Sequence, residues 1–323
     1  MQDRQDDWPG EVADIDREYD NVRKVDDHVI AQYRRAWCDS SQRTRAELRC
    51  LENVRYGPDE RNVYDLFLPP GDKPCPAVVY VHGGYWRSGG KSEASYIANA
   101  FVAAGYACAV INYGLAPQTT VERQISHCRQ ALLHIASTHA GHEGARNALH
   151  LIGHSAGAHL AAMLLHAPDG APGGSVASLC GCRSAALVSG IYDLRPIYRS
   201  FLNQVLQMSR QDVGSMSPAF LPVDPNVRSL VMVGGKEGPE YLRQSTLYVE
   251  KAVQGGAQSE LLVFDDDDHF SIRTPSAATQ ASALARALTF FQEAEGVENR
   301  RVAGFTQPEE ESRTLDARTL DNG

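Results

Sequence analysis

The segment LHLIGHSAGAHLAAMLLH, residues 149–166, constrains the fold of this chain more than any other. Its apolar start is typical of a buried strand and its second half of a helix, so the chain must turn sharply between them. Gly153 and Gly157 flank the turn because a side chain there would strike the neighbouring strand or helix. The turn projects the Ser155 hydroxyl at a helix N-terminus, which favours negative charge. The segment predicts a serine nucleophile; the alternative is a turn chosen for close packing.

Strand and helix alternate along most of the chain. After a hairpin-like strand pair, short apolar runs predict strands at 77–82, 107–113, 149–154, 186–191, 229–234 and 260–265. Helical spacing is found at 93–104, 119–139, 156–166, 239–254 and 276–294. Continuous apolar strands joined by helices are typical of a mostly parallel sheet that is buried on both faces. The prediction is a single α/β domain with a central sheet flanked by helices.

Four segments make up the predicted organisation. Residues 1–50 are helical and amphipathic in pattern, and we expect them to pack on a domain formed by residues 51–295. After the sixth strand, residues 194–222 form a long interval with apolar residues, which predicts a short helical insertion resembling a lid. Residues 296–323 are polar, charged and poor in aliphatic residues, which predicts a disordered tail.

Composition argues against several classes of function. With 43% hydrophobic and 22% charged residues, the 323-residue chain has the balance of an ordinary globular protein. A net charge of −9 is opposite to that of a nucleic-acid-binding protein. No apolar run approaches the ~20 residues of a membrane span, and no secretory signal is visible. Seven scattered cysteines predict a reducing, cytoplasmic location rather than a disulfide framework.

A serine hydroxyl is a poor nucleophile at neutral pH and needs a base that is itself oriented by an acid. In this kind of fold, the chain order is serine, acid, histidine. Of eleven histidines, only His269 follows Ser155 at any distance. It lies on the loop after the predicted strand 260–265, where loops at the carboxyl edge of a parallel sheet converge. The alternative is a surface histidine that follows an acidic run.

Two carboxylates compete for the role of the acid. Glu237 lies just beyond the strand that precedes the histidine strand, and Asp193 has the same kind of position one strand earlier. Chain order and strand position favour Glu237. Asp193 would then hydrogen-bond the backbone where the insertion begins.

The predicted strand 77–82 ends unusually, in HGGYW, residues 82–86. If Ser155 attacks a carbonyl, the resulting oxyanion needs preorganised N–H donors. One is the amide of Ala156, and the others come from the loop after the third strand, which is where HGGYW lies. Glycine allows a backbone amide to approach a ligand closely. The alternative is a plain turn capped by aromatic residues.

The aromatic residues beside these glycines predict a substrate slot. Tyr85 and Trp86 would form one wall, with Tyr192, Tyr198 or Phe270 opposite. For Trp86, burial in the core is an equally weighted alternative. The residues expected to contact the substrate are His82, Gly83, Trp86 and Tyr192.

Together, HGGYW, GHSAGAH, SGIYDLRPI, GGKEGPEYLRQS and DDHFSI resemble the kynurenine formamidase (arylformamidase) group of α/β-hydrolases, relatives of the hormone-sensitive-lipase esterases. The N-terminal DREYDNV and YGPDERNVYDLFLP fit the same group. The resemblance implies the α/β-hydrolase fold and hydrolysis of an aryl formamide, such as N-formylkynurenine, through an acyl-serine intermediate without metal or other cofactor. It implies a triad of Ser155, Glu237 and His269 and an oxyanion hole formed by the amides of Gly84, Tyr85 and Ala156. The family often has Asp at the position of Glu237.

Other interpretations stay open. The same scaffold serves short-chain carboxylesterases and carbamate or amide hydrolases, and only the pocket distinguishes them. A metal site in HIASTHAGHEG would use His134, His139 and His142, but their spacing gives no common helix face, so no metal is expected. An inactive hydrolase fold used for binding needs a broken triad, and no candidate position is broken. The expected partner is a small aromatic amide or ester, not nucleic acid or membrane, with a homodimer left open.

Overall fold

Eight strands form one sheet in the order 1-2-4-3-5-6-7-8. The computed structural model describes residues 12–71, 74–139, 148–167, 174–274 and 282–296. The strands are β1 (Arg49–Arg55), β2 (Val63–Leu68), β3 (Ala77–Val81), β4 (Ala107–Ile111), β5 (Leu149–His154), β6 (Cys182–Val188), β7 (Arg228–Gly234) and β8 (Ser259–Phe264). β2 pairs antiparallel with β1 and β4, and every other neighbouring pair is parallel. The prediction of a mostly parallel sheet is confirmed.

Helices cover both faces of this sheet. They are α1 (Val12–Tyr19), α2 (Asp27–Glu47), α3 (Ala98–Ala103), α4 (Val121–His139), α5 (Ala156–Leu164), α6 (Val176–Leu179), α7 (Arg195–Arg199), α8 (Asn203–Leu206), α9 (Arg210–Ser215), α10 (Pro239–Gln254) and α11 (Ala283–Ala294). Successive strand residues point to opposite faces, so Val79 and Leu151 enter one apolar cluster while Val78 and Ile152 enter another. Burial of both faces explains why the strands are apolar without alternation.

Several predicted elements have different bounds in the structure, and the strand at 186–191 and the helix at 93–104 are two of them. The strand expected at 186–191 begins at Cys182 and ends at Val188, because Ser189 turns the chain with a φ of +51°. The helix expected at 93–104 is divided into two 3-10 turns followed by α3. Ala94, with φ −118° and ψ −1°, lies between those turns.

The segments outside the sheet are mainly helical. The N-terminal segment contains α1 and α2, and the interval 194–222 contains α7, α8 and α9. The lid role of that interval and the division into domains stay predictions. Residues 1–11 and the predicted disordered tail at 297–323 lie outside the described residues. In the part of the chain that the structure describes, no helix has the length and apolar character needed to span a membrane.

One edge of the sheet collects the candidate site residues. Strands β3, β5, β6, β7 and β8 run in the same direction, so their carboxyl ends lie along that edge. His82, Ser155 and Ser189 directly follow β3, β5 and β6. Glu237 and His269 lie in the loops after β7 and β8. The topology therefore brings together residues that are far apart in sequence.

A buried ion pair stabilises the opposite, antiparallel part of the sheet. The Asp65 side chain on β2 is 0% exposed, and its Oδ1 accepts hydrogen bonds from Lys91 Nζ at 2.7 Å and from the Asn53 amide at 2.9 Å. Removing one partner of a buried pair leaves an uncompensated charge. Removing one partner should therefore lower the free energy of unfolding more than removing both charges.

We expect Lys91→Met to lower the free energy of unfolding by about 3 kcal/mol, because it leaves Asp65 charged and unpaired. The double variant Asp65→Asn/Lys91→Met should regain part of that loss, since no buried charge remains. Urea denaturation of the two variants and the wild-type protein measures both effects. A double variant that is less stable than Lys91→Met would show that the pair does not act in this way.

Candidate active site

The Ser155 turn has a strained backbone that its neighbours hold in place. Ser155 has φ +57° and ψ −123°, a conformation that residues with a side chain rarely adopt. Its amide donates to the carbonyl of Val188 on β6 at 2.8 Å. A side chain at Gly157 would collide with the carbonyl of Val81 on β3, and one at Gly153 with the backbone of Gly157. The two glycines are therefore needed for the strand, the turn and the helix to pack.

His269 joins Ser155 to Glu237. Its Nε2 lies 3.0 Å from Ser155 Oγ and its Nδ1 lies 2.6 Å from Glu237 Oε2, and all three residues are buried. A carboxylate accepts hydrogen bonds, so Nδ1 carries the hydrogen of the neutral ring and Nε2 is the acceptor. The serine hydroxyl then donates to Nε2, which is the arrangement in which a histidine can remove the serine proton.

Glu237 is oriented by two further donors. Its Oε1 accepts hydrogen bonds from Ser189 Oγ and from the Gly234 amide, each at 2.6 Å. Both carboxylate oxygens are therefore occupied, which fixes the orientation of the group that contacts His269. Ser189 is not among the residues predicted from the sequence. A polar residue at the carboxyl end of a buried parallel strand was the signal available for finding it.

Asp193 makes no hydrogen bond with His269. Its two oxygens bind the guanidinium of Arg195 at 2.9 and 2.8 Å, and Oδ2 also binds Arg243 at 3.2 Å. Asp193 Oδ1 additionally accepts from the Arg195 amide at 3.0 Å, at the start of α7. The structure thus brings Glu237, and not Asp193, to the histidine.

The loop after β3 presents backbone rather than side chains to the serine. A side-chain carbon at Gly83 would lie only 3.0 Å from Ser155 Cβ, so the loop passes directly against the turn. Gly84 and Tyr85 have φ values of +118° and +49°. Within the described residues, their amides donate to no acceptor. The Ala156 amide opens α5, where amides lack a partner inside the helix. These three amides are available to an oxyanion.

Two aromatic residues expected at the substrate lie in the core. Trp86 is fully buried, and its indole nitrogen donates to His159 Nδ1 at 3.1 Å. His159 Nε2 in turn donates to the carbonyl of Met216 at 2.8 Å. Tyr192 is also fully buried and stacks on Tyr248 with ring centroids 4.5 Å apart. For Trp86, the structure therefore agrees with core packing, the alternative that the sequence left open.

Two buried histidines lie close to the triad, one in the loop after β3 and one at the end of β5. His82 stacks on Tyr113 at 4.3 Å and donates from Nδ1 to the Gly83 carbonyl at 2.8 Å. His154 donates from Nε2 to the backbone carbonyl of His269 at 3.1 Å, which links the serine turn to the histidine loop. Burial lowers the pKa of His82 to about 4 and the pKa of His154 well below its usual value. Both rings are therefore neutral near pH 7.

The described residues contain no cluster of three or more His, Cys, Asp or Glu side chains that could hold a metal ion. Of the three histidines considered for a metal site, His134 has its Nδ1 3.2 Å from Tyr64 Oη. The side chains of His139 and His142 lie outside the described residues. All seven cysteines are free thiols.

Comparisons of the sequence and the fold with known proteins find several relatives of this chain. The family model described as BD-FAE matches residues 64–169. A kynurenine formamidase of Danio rerio is 32% identical over 256 residues, which are 76% of this chain and 83% of the relative. An isoprenylcysteine alpha-carbonyl methylesterase of Arabidopsis thaliana is 25% identical over 67% of this chain and 56% of the relative. The crystal structure of a thioesterase candidate from Silicibacter sp. tm1040 superposes with a TM-score of 0.73 at 30% identity, over 85% of this chain and 98% of that one.

The fold and the relatives define an α/β-hydrolase, and the chain is an enzyme of the serine-hydrolase type. The predicted fold class is thereby confirmed. At 32% identity over 76% of its length to a kynurenine formamidase, the chain belongs to the kynurenine formamidase family. The resemblance seen in the sequence segments is confirmed as well.

The lowered pKa values of the buried histidines make the free energy of unfolding depend on pH. Burial lowers the pKa of His159 to about 4, whereas an unfolded histidine titrates near 6.5. Between these values the unfolded chain binds more protons, so the free energy of unfolding is highest above about pH 6.5 and falls towards pH 4. We expect His159→Gln, which keeps a donor for the Met216 carbonyl, to reduce this slope by up to about 1.4 kcal/mol per pH unit. Urea denaturation across this pH range tests the prediction, and an unchanged slope would refute it.

Proposed function

We propose that the protein hydrolyses an aryl formamide, with N-formylkynurenine as the model substrate, to the arylamine and formate. The observation that carries this proposal is the hydrogen-bonded chain from Ser155 through His269 to Glu237, in a member of the kynurenine formamidase family. The reaction takes place in a reducing cytoplasm, and the free cysteines support that location.

The first half of the reaction forms an acyl-serine. Ser155 Oγ attacks the formyl carbon while His269 Nε2 takes the serine proton, and the Glu237 carboxylate stabilises the resulting imidazolium. The carbonyl oxygen becomes an oxyanion that accepts hydrogen bonds from the amides of Gly84, Tyr85 and Ala156. Loss of one such donor typically slows a reaction by a factor of ~100 to 1,000. These amides therefore have a large share in the rate.

Collapse of this intermediate releases the amine. The His269 imidazolium donates its proton to the aniline nitrogen as the C–N bond breaks, since an amine leaves poorly unless it is protonated. A formyl group remains on Ser155 Oγ. Water then attacks it with His269 as the base, and formate leaves as the serine regains its proton. Each step uses only these side chains, the three amides and water.

The packing around the serine supports a small acyl group. Ser155 is 2% exposed and His269 is 6% exposed, and the Gly83 backbone passes directly over the serine. A formyl group carries only hydrogen on its acyl carbon, so it needs less room beside the nucleophile than an acetyl or longer chain. Steric selection at the acyl side thus favours formamides over bulkier amides.

The second candidate function is hydrolysis of a short-chain ester, carbamate or other amide. The specific observation in its favour is the match to the methylesterase of Arabidopsis thaliana, which is 25% identical over 67% of this chain. The acyl-serine chemistry would be the same, and only the leaving group would differ. A substrate comparison therefore separates the two candidates.

We expect kcat/KM for N-formylkynurenine to exceed that for p-nitrophenyl acetate, measured in parallel with purified protein. Ser155→Ala should lower kcat on both substrates by about 10⁴-fold or more, because no other group can form the acyl intermediate. Ser184→Ala is a matched control, since it removes a buried serine hydroxyl from β6 away from the site. Faster turnover of the ester without formamidase activity would favour the second candidate, and full activity of Ser155→Ala would rule out the mechanism.

The two carboxylates give a second test. We expect Glu237→Gln to lower kcat by about 10³- to 10⁴-fold, because a glutamine amide no longer holds His269 in the tautomer that accepts the serine proton. Asp193→Asn should keep kcat within about tenfold and instead lower the unfolding midpoint, since it weakens the ion pairs with Arg195 and Arg243. The reverse pattern would assign the acid role to Asp193.

A further inference from the structure

The N-terminal segment between α1 and α2 reaches the candidate site. Asn21, only 2% exposed, lies with its Nδ2 2.6 Å from Tyr85 Oη and 2.7 Å from Tyr241 Oη. Tyr85 belongs to the loop after β3 and Tyr241 to α10. Asn21 therefore joins two parts of the site that are otherwise separate along the chain.

The direction of each hydrogen bond in this group follows from one backbone carbonyl. Tyr85 Oη lies 2.6 Å from the carbonyl oxygen of Tyr19, which can only accept. The single hydroxyl hydrogen of Tyr85 is therefore donated to that carbonyl. Tyr85 Oη must then accept from Asn21 Nδ2 and from Tyr241 Oη, which lies 3.1 Å away. Tyr241 in turn accepts the second hydrogen of Asn21 Nδ2. The asparagine thus uses both hydrogens of its amide, whereas its Oδ1 has no hydrogen-bond partner among the described residues.

Both tyrosines lie against the reacting groups. The Tyr85 amide is one of the three proposed oxyanion donors, and its φ of +49° is unfavourable for a residue with a side chain. The Tyr241 ring lies 4.9 Å from the His269 ring, centroid to centroid. Fixing the hydroxyl end of Tyr85 helps to keep its backbone in the strained conformation, and fixing Tyr241 keeps its ring packed on the base.

The same segment also contacts the loop that carries the acid. Lys24 Nζ donates to the backbone carbonyl of Glu237 at 2.8 Å. The Tyr19 hydroxyl donates to Glu240 Oε1 at 2.6 Å, in the first turn of α10. The residues from Tyr19 to Lys24 therefore contact both the loop after β3, which carries Tyr85, and the loop after β7, which carries Glu237.

We propose that Asn21 is a positioning residue of the active site, which holds the Tyr85 amide in place to donate to the oxyanion and keeps Tyr241 packed on His269. This inference rests on the proposed oxyanion hole and acyl-serine mechanism. It does not depend on whether the substrate is a formamide or an ester, so any substrate that the wild-type protein turns over can test it.

The test is a double-mutant cycle between Asn21→Leu and Tyr85→Phe. Leucine keeps the volume of asparagine but donates no hydrogen bond, and phenylalanine removes only the hydroxyl. We expect Asn21→Leu to lower kcat by about 10-fold to 100-fold with little change in KM, since it displaces one oxyanion donor without deleting it. In the Tyr85→Phe background, the fold-loss in kcat caused by Asn21→Leu should be less than about one third of the fold-loss in the wild-type background, because one of the two bonds through which Asn21 acts is already absent.

Asn62→Leu is the matched control. Asn62 is 0% exposed and also donates from Nδ2 to a tyrosine hydroxyl, that of Tyr56 at 3.3 Å, but it touches none of the proposed catalytic residues. Its effect on kcat should be small and should add to that of Tyr85→Phe. Thermal unfolding of all variants shows whether a loss of kcat accompanies a loss of folded protein. If Asn21→Leu does not fold, Asn21→Asp has nearly the same shape and, when ionised, loses both donated hydrogen bonds.

Additive effects of Asn21→Leu and Tyr85→Phe on kcat, or wild-type kcat in folded Asn21→Leu, would overturn the proposal. The proposed mechanism fails separately, if Ser155→Ala keeps its activity. A strong coupling between Asn21 and Tyr85 together with inactive Ser155→Ala would support both.

Discussion

The buried carboxylate of Glu237 is the group on which the rest of the site depends. A buried charge needs hydrogen-bond donors, and here they come from three different parts of the sheet edge: Ser189 after β6, the Gly234 amide at the end of β7, and His269 after β8. Satisfying this one group therefore aligns three loops. The orientation of His269 towards Ser155 follows from that alignment.

Backbone strain is concentrated at the same edge. Of the six non-glycine residues with positive φ in the described chain, three lie in the site, namely Tyr85, Ser155 and Ser189, and Trp86 directly follows Tyr85. Strained residues persist only where their surroundings over-determine them. Trp86 is anchored in the core through His159, Tyr85 through Asn21 and the Tyr19 carbonyl, and Ser155 through β6. The side chains of the HGGYW loop thus hold the backbone, and the backbone faces the serine.

The sequence was informative where function depends on local geometry. The glycines around Ser155 reflect a steric requirement that is visible in a short segment. The chain order of serine, glutamate and histidine reflects the topology of the fold. The sequence could not reveal that Trp86 and Tyr192 lie in the core, because a large aromatic side chain suits a substrate wall and a core equally well. It also could not reveal Asn21, since the partners of that residue are 64 and 220 positions away and only folding brings them together.

This division also bears on how substrate choice is encoded. The BD-FAE model matches residues 64–169, which include the HGGYW loop and the serine turn but not Glu237, His269 or Asn21. The matched part contains the proposed nucleophile and the proposed oxyanion donors, which any acyl transfer needs. Fold alone does not select a substrate. The N-terminal segment and α10 lie outside the matched part, and they contact Tyr85 and His269 through Asn21 and Tyr241. We therefore expect the difference between formamide and ester hydrolysis to reside in those segments rather than in the shared nucleophilic core.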